Sequence, residues 1–179
     1  MIEATLTVMA DKGMAEFSIA DVATRSGVHE SSIYRRWGTR DALIVETLLD
    51  NSEMLIPVPD TGAVRTDLTA LVTEIIAYLS TDRGRALNQV LAAGGDDSRW
   101  AAVRLEFWST RLARTRPIIE RAIARGEIAA DADPQLILET LIAPLQFRAL
   151  IVREPFDTHF AAALVDLVLD GVGISAPPS

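Results

Sequence analysis

Apolar residues along this chain recur at three- and four-residue steps almost throughout, the spacing of one helical face, and strand-like alternation persists nowhere. The first stripe is Ile2, Leu6, Met9 and Ala10, stopped by Gly13, which suits a left-handed helix terminus. A second helix is predicted to start at Ser18, where Ser18-Ile-Ala-Asp21 has the form of a capping box, and to run to Ser26 with Ile19, Val22 and Ala23 buried. Gly27 supplies a turn and Val28 anchors it. A third helix spans about Glu30 to Trp37 with Ile33 and Trp37 inward. Gly38-Thr39 breaks it, and Thr39 caps a fourth helix that reaches about Met54.

The segment Ile56-Pro-Val-Pro-Asp-Thr-Gly62 cannot continue a helix, so it marks the best domain boundary, dividing residues 1–50 from 51–179. Beyond it the period predicts a helix over 63–79 with Leu68, Leu71, Val72, Ile75, Ile76 and Leu79 buried. Another covers 84–93 and ends at Gly94-Gly95. A long one follows over 98–125, bent at Pro117. Asp133-Pro134 opens a helix over 134–153 with a kink at Pro144, and the last runs over 158–169. The tail from Gly173 reads as disordered. The chain is therefore all-α, with nine helices and no internal repeat.

The last two helices are apolar on nearly every side, through Leu136 to Leu138, Leu141, Ile142, Leu145 and Leu150 to Val152 in one, and Ala161 to Val165 with Leu167 to Leu169 in the other. A helix apolar all round is buried all round. Either these two lie at the centre of a large core, or they form a four-helix interface with a second copy. In 179 residues the homodimer is the favoured reading.

Composition narrows the chemistry. Hydrophobic residues make up 49% of the chain, enough for a core, and the lack of cysteine excludes disulfides, thiolate zinc sites and a cysteine nucleophile. That usage suits a reducing cytoplasm. No apolar run approaches the roughly 20 residues that span a bilayer, so no membrane partner is expected. Two histidines far apart offer no metal cluster, and neither a Gly-rich phosphate loop nor a nucleophile elbow occurs, which argues against an enzyme and against a cofactor.

Net charge is −8, so any nucleic-acid contact must rest on local charge. Residues 25–40 hold Arg25, Arg35, Arg36 and Arg40 against Glu30 alone, a local +3. Two short helices joined at Gly27, the second carrying serines, a tyrosine and paired arginines, have the form of a helix-turn-helix whose second helix enters the major groove. Arg35 and Arg36 are the best base-reading candidates, since arginine donates two hydrogen bonds to guanine. The alternative for both is a solvated face. On the seventh helix Trp100, Arg104, Trp108 and Arg111 align, either lining a ligand cavity or forming a structural stripe whose arginine stems cover apolar surface. Tyr78, Gln146 and Phe147 are further pocket candidates. His159 is read as structural.

The run from Phe17 to Leu43 resembles the tetracycline-repressor (TetR) family of bacterial transcription regulators, with Val22-Ala23, Gly27-Val28, Ile33-Tyr34, Trp37, Arg40 and Ala42-Leu43 at that family's spacing. The stretch Ala124-Arg-Gly-Glu-Ile128 with Asp131-Ala-Asp-Pro134 is similar to the ligand and dimerisation domain of one branch. The resemblance implies a homodimeric repressor on a palindromic double-stranded operator, released by a small-molecule effector. It places Ser31, Ser32, Tyr34, Arg35 and Arg36 on the groove side of the recognition helix, with Tyr34 and Arg40 at phosphates. Ser18 and Ile19 fall where backbone amides meet phosphate. His29 departs from the family's usual Ser or Thr cap, so its imidazole faces the backbone or a phosphate instead. No basic arm stands ahead of Ile2. The alternative reading is an all-helical ligand-binding or protein-interaction module without a DNA-regulatory role.

Overall fold

A computed structural model describes residues 1–52, 57–93 and 98–171. The expected helix end near Met54, Ile56 of the linker, Gly94-Gly95 and the tail from Gly173 lie outside the described residues. Among the described residues there are nine α-helices, one π-helical segment and no strand. The helices are α1 (Ile2–Glu16), α2 (Ile19–Ser26), α3 (Glu30–Trp37), α4 (Arg40–Ser52), α5 (Val64–Leu79), α6 (Asp82–Ala93), α7 (Ser98–Ala124), α8 (Pro134–Gln146) and α9 (Phe160–Gly171), with the π segment at Phe147–Val152.

Local chemistry sets most boundaries. The Ser18 hydroxyl accepts from Asp21 N–H at 3.2 Å, capping α2. Thr39 Oγ1 accepts from Ala42 N–H at 3.1 Å and caps α4. Asp133 accepts from Gln135 N–H at 2.9 Å at the head of α8, where Pro134 costs no hydrogen bond. The predicted stop at Gly13 is a true break: Gly13 leaves helical geometry (φ 67°, ψ 176°), and a second short helical stretch follows it to Glu16. Pro117 lies inside α7, which continues through it.

Two helices near the C-terminus differ from expectation. The segment predicted as one helix over 134–153 is α-helical only to Gln146. Pro144 has no N–H to donate, and within one turn the backbone widens to π geometry. Arg153 then closes the segment in the left-handed region (φ 59°), its N–H donating to Arg148 O at 2.8 Å. The last helix starts at Phe160 rather than 158, because Asp157 first accepts from His159 N–H at 2.8 Å. Pro134–Val152, at 19 residues, is long and apolar enough by length and composition to cross a membrane, contrary to the expectation that no run approaches that size. Counting uninterrupted apolar residues missed it, since Glu139 and Arg148 fall inside. Its burial is one-sided: Ile137, Leu138, Leu141 and Leu145 are buried, whereas Leu136 and Ile151 are exposed.

The chain clusters into two compact units, Met1–Met54 with Leu79–Trp108, and Leu55–Tyr78 with Ser109–Ser179. The linker alone does not define them. In the first unit α1 packs against α2, α4 and, most extensively, α6, burying Leu6, Val8 and Met9. An α1 with apolar residues on more than one side needs that extra cover, and Arg83 of α6 adds an ion pair to Glu3 at 2.9 Å.

In the second unit α8 packs on α9, where Leu164, Val165, Val168 and Leu169 are buried. Arg65 of α5 pairs with Asp166 of α9. A polar cluster fastens the start of α5. Glu127 Oε2 accepts from Val64 N–H at 2.5 Å, and fully buried Asp67 accepts from Thr61 N–H at 2.6 Å and from its hydroxyl at 2.8 Å. Arg125 pairs with Glu127 and stands 3.8 Å from Asp67, while Arg121 donates to Pro59 O and lies 3.3 Å from Asp60. The Arg125 hydrogen bond holds the Glu127 carboxyl below the usual range, against the opposing effect of burial.

Candidate nucleic-acid interface

The helix-turn-helix is built by α2, its turn and α3. Gly27 adopts φ 68°, ψ 17°, a left-handed conformation that ends α2 while its N–H donates to Ala23 O. Val28 anchors the turn through its backbone, not its side chain: its N–H donates to Ala23 O at 3.2 Å, and the side chain is 37% exposed. Ile19, Val22, Ala23 and Ile33 are buried, so α2 and α3 pack through one apolar face and leave the other to solvent. The recognition helix α3 exposes Ser31, Tyr34, Arg35 and Arg36, with Ser32 half-buried. His29 precedes it without a side-chain cap, and the His29 backbone carbonyl accepts from Ser32 N–H at 2.9 Å.

The other expected contacts differ in what they can offer. Ile19 is buried, leaving only its backbone N–H at the head of α2. Ser18 is half-buried, and its hydroxyl is shared with Asp21. Asp21 also takes Lys12 Nζ at 2.6 Å. That bond, then the Ser18 hydroxyl, holds the Asp21 carboxyl below its ordinary value. The capping box is thus incomplete: the Asp21 side chain turns to Lys12 and Ser18 Oγ rather than the backbone. Arg40 is half-buried, its guanidinium 5.5 Å from the Phe17 ring. Trp37 is half-buried rather than fully inward.

Several cations near the reading helices are held by acids. Besides Lys12–Asp21, Arg25 pairs with Asp11 at 2.8 Å and Arg36 with Glu46 at 3.1 Å. Sequence reasoning missed these acids. The pairs span 14 and 10 residues and join different helices, so no helical spacing marks them.

The expected pocket residues are divided between the units: Trp100, Arg104 and Trp108 fall in the first, Tyr78, Gln146 and Phe147 in the second. Trp100 is buried, and half-buried Trp108 meets Phe107 edge-on at 5.3 Å. Arg104 is half-buried. Arg111 lies 5.7 Å from the Tyr78 ring, its pKa lowered by burial while the Tyr78 phenol works the other way. Gln146 keeps a buried Oε1 with no hydrogen-bond partner among the described residues, whereas Phe147 is 56% exposed. Separately, α8, α9 and the turn before α8 enclose a groove of about 470 Å³, lined by Leu136, Ile137, Pro144, Leu164, Leu167 and Val168 among others.

A short two-helix reader with a glycine turn, set in an all-helical chain, defines a helix-turn-helix transcriptional regulator that binds DNA. The chain belongs to the tetR family of bacterial regulatory proteins: that description matches residues 1–47, and the tetracyclin repressor-like C-terminal domain matches residues 58–168. It is 33% identical over 171 residues to the HTH-type transcriptional regulator AqdR of Rhodococcus erythropolis, covering 96% of this chain and 83% of that protein. It is 31% identical to the DNA-binding transcriptional repressor TetR of Mycobacteroides abscessus, covering 94% and 90%. Its fold matches the solved structure of TetR family transcription regulator SCO0332 with TM-score 0.76 and 30% identity, over 96% of both chains.

Proposed function

We propose that this regulator is a homodimeric repressor that binds a palindromic operator and leaves it when a small-molecule effector enters the second domain. In this reading residues 1–50 bind DNA and residues 51–179 bind the effector and the second copy, in the cytoplasm. The exposed side of α3 carries the DNA reading. Arg35 reads a base edge, Tyr34 and Arg40 meet phosphates, and Ser31, Ser32, His29, Ser18 and the Ile19 amide position the duplex. The similarity to a named transcriptional repressor supports repression. Within the second unit, effector contacts are assigned to the pocket candidates Tyr78, Gln146 and Phe147.

The apolar outer side of α8 and α9 supports the dimer. Leu136 is 60% exposed and Leu167 71% exposed, on either side of the groove. A second copy covers them, and two recognition helices then meet successive major grooves about 34 Å apart. A coupling of about 1–3 kcal/mol between effector and operator suffices to change occupancy severalfold to a hundredfold. The test is a mobility-shift assay on DNA from upstream of the gene. Wild type is expected to shift it at low salt and Arg35→Ala to lose the shift. Binding by neither protein, or equal binding by both, would overturn the assignment.

A further inference from the structure

Arg35 and Arg36 are adjacent in the last turn of α3, yet they are held differently. Arg36 Nη2 stands 3.1 Å from Glu46 Oε1 on α4, and its guanidinium carbon sits 4.6 Å from the Trp37 ring centroid. The cation is therefore gripped twice, by an indole on its own helix and by a carboxylate on the next. Arg35 is exposed and makes no ion pair among the described residues. Both Arg36 and Glu46 remain open to water, and an exposed ion pair is weak enough for a phosphate or a guanine edge to compete with it. Glu46 nevertheless stays beside the site when Arg36 leaves, an uncompensated negative charge next to a polyanion.

We propose that Glu46 is a positioning residue that sets DNA specificity: it holds Arg36 back against α4, so sequence reading falls to Arg35. Arg36 then engages DNA only where a well-placed acceptor outweighs the Glu46 pair. The proposal rests on the DNA-binding reading above. Non-specific affinity follows the number of cations that displace counterions from phosphate. Withholding one cation per protomer therefore weakens binding to arbitrary DNA more than binding to a duplex that repays its release.

The experiment uses the full chain as wild type, Glu46→Gln, Arg36→Ala and the double variant. The probes are a duplex enriched from a random pool by the wild type and a scrambled duplex of equal length and composition. Glu46→Gln is expected to raise affinity for the scrambled duplex severalfold and to narrow its gap from the enriched one. Its salt dependence should steepen by about 0.9 in log–log slope per protomer. Arg36→Ala should cancel these changes. Unchanged affinities, or a gain that persists without Arg36, would overturn the proposal, since Glu46 would then be idle or act only as bulk charge. In the DNA-free protein the Arg36 Nε–H and Trp37 indole NMR signals should move in Glu46→Gln, and unmoved signals would also overturn it. Moved signals with no wild-type binding to either duplex would instead fault the DNA-binding reading, and the proposal with it.

Discussion

Gly27 has open space where a Cβ would stand, so backbone conformation alone decides what that position tolerates. At φ 68° an L-residue is strained. Gly27→Ala should therefore cost about 1 kcal/mol in urea unfolding, and Gly27→Asn clearly less, because asparagine visits this region more readily. Equal losses for the two would mean that side-chain packing sets the turn. Gly27 and the caps Ser18 and Thr39 were legible because each acts within a few residues of itself. Glu46, Asp67 and Glu127 were not. Glu46 and Asp67 have partners on another helix or in the linker, and Glu127 joins its neighbour Arg125 to the distant Val64 N–H. A carboxylate on a helical surface looks the same whether or not it has such a partner.

Helices were legible as elements wherever a single apolar stripe met a clean stop, as in α2, α3 and α5. They were misjudged where a proline altered the ladder without ending it, as in α8. The clustered polar contacts at the start of α5 give this element its own pH dependence. Glu127 has its folded pKa lowered, first by the Arg125 hydrogen bond. Its contribution is therefore present above the unfolded glutamate value of about 4.3 and is lost as pH falls through the lower folded value. Comparing unfolding free energies of wild type and Glu127→Gln from pH 7 downward should show a gap of about 1 kcal/mol that closes in acid. A gap that widens as pH falls would reverse the sign of this argument.

For the whole molecule, the sequence carried the fold class, the reading helix and the surplus of apolar surface on α8 and α9. It did not show that α6 and the first part of α7 cluster with the helix-turn-helix, because a helix stripe names no partner. The proposed dimer makes that surplus testable. Leu167 is 71% exposed, so Leu167→Asp should leave the protomer folded by circular dichroism. It should shift the chain from dimer to monomer in sedimentation and abolish operator binding with α3 untouched. A dimeric Leu167→Asp protein would place the interface elsewhere.

The π segment at Phe147–Val152 carries a consequence for chain length. A π turn accommodates one residue more than the α turn it interrupts. Deleting a single residue there would let the α ladder run on to the end of the segment and turn its last residues by about 100° about the helix axis. The closing bond from Arg153 N–H to Arg148 O would be lost, and the connection to α9 would leave the segment in another direction. Length at this point is thus a phase setting, and a one-residue gap in 147–152 should be harder to tolerate than most substitutions of the same residues.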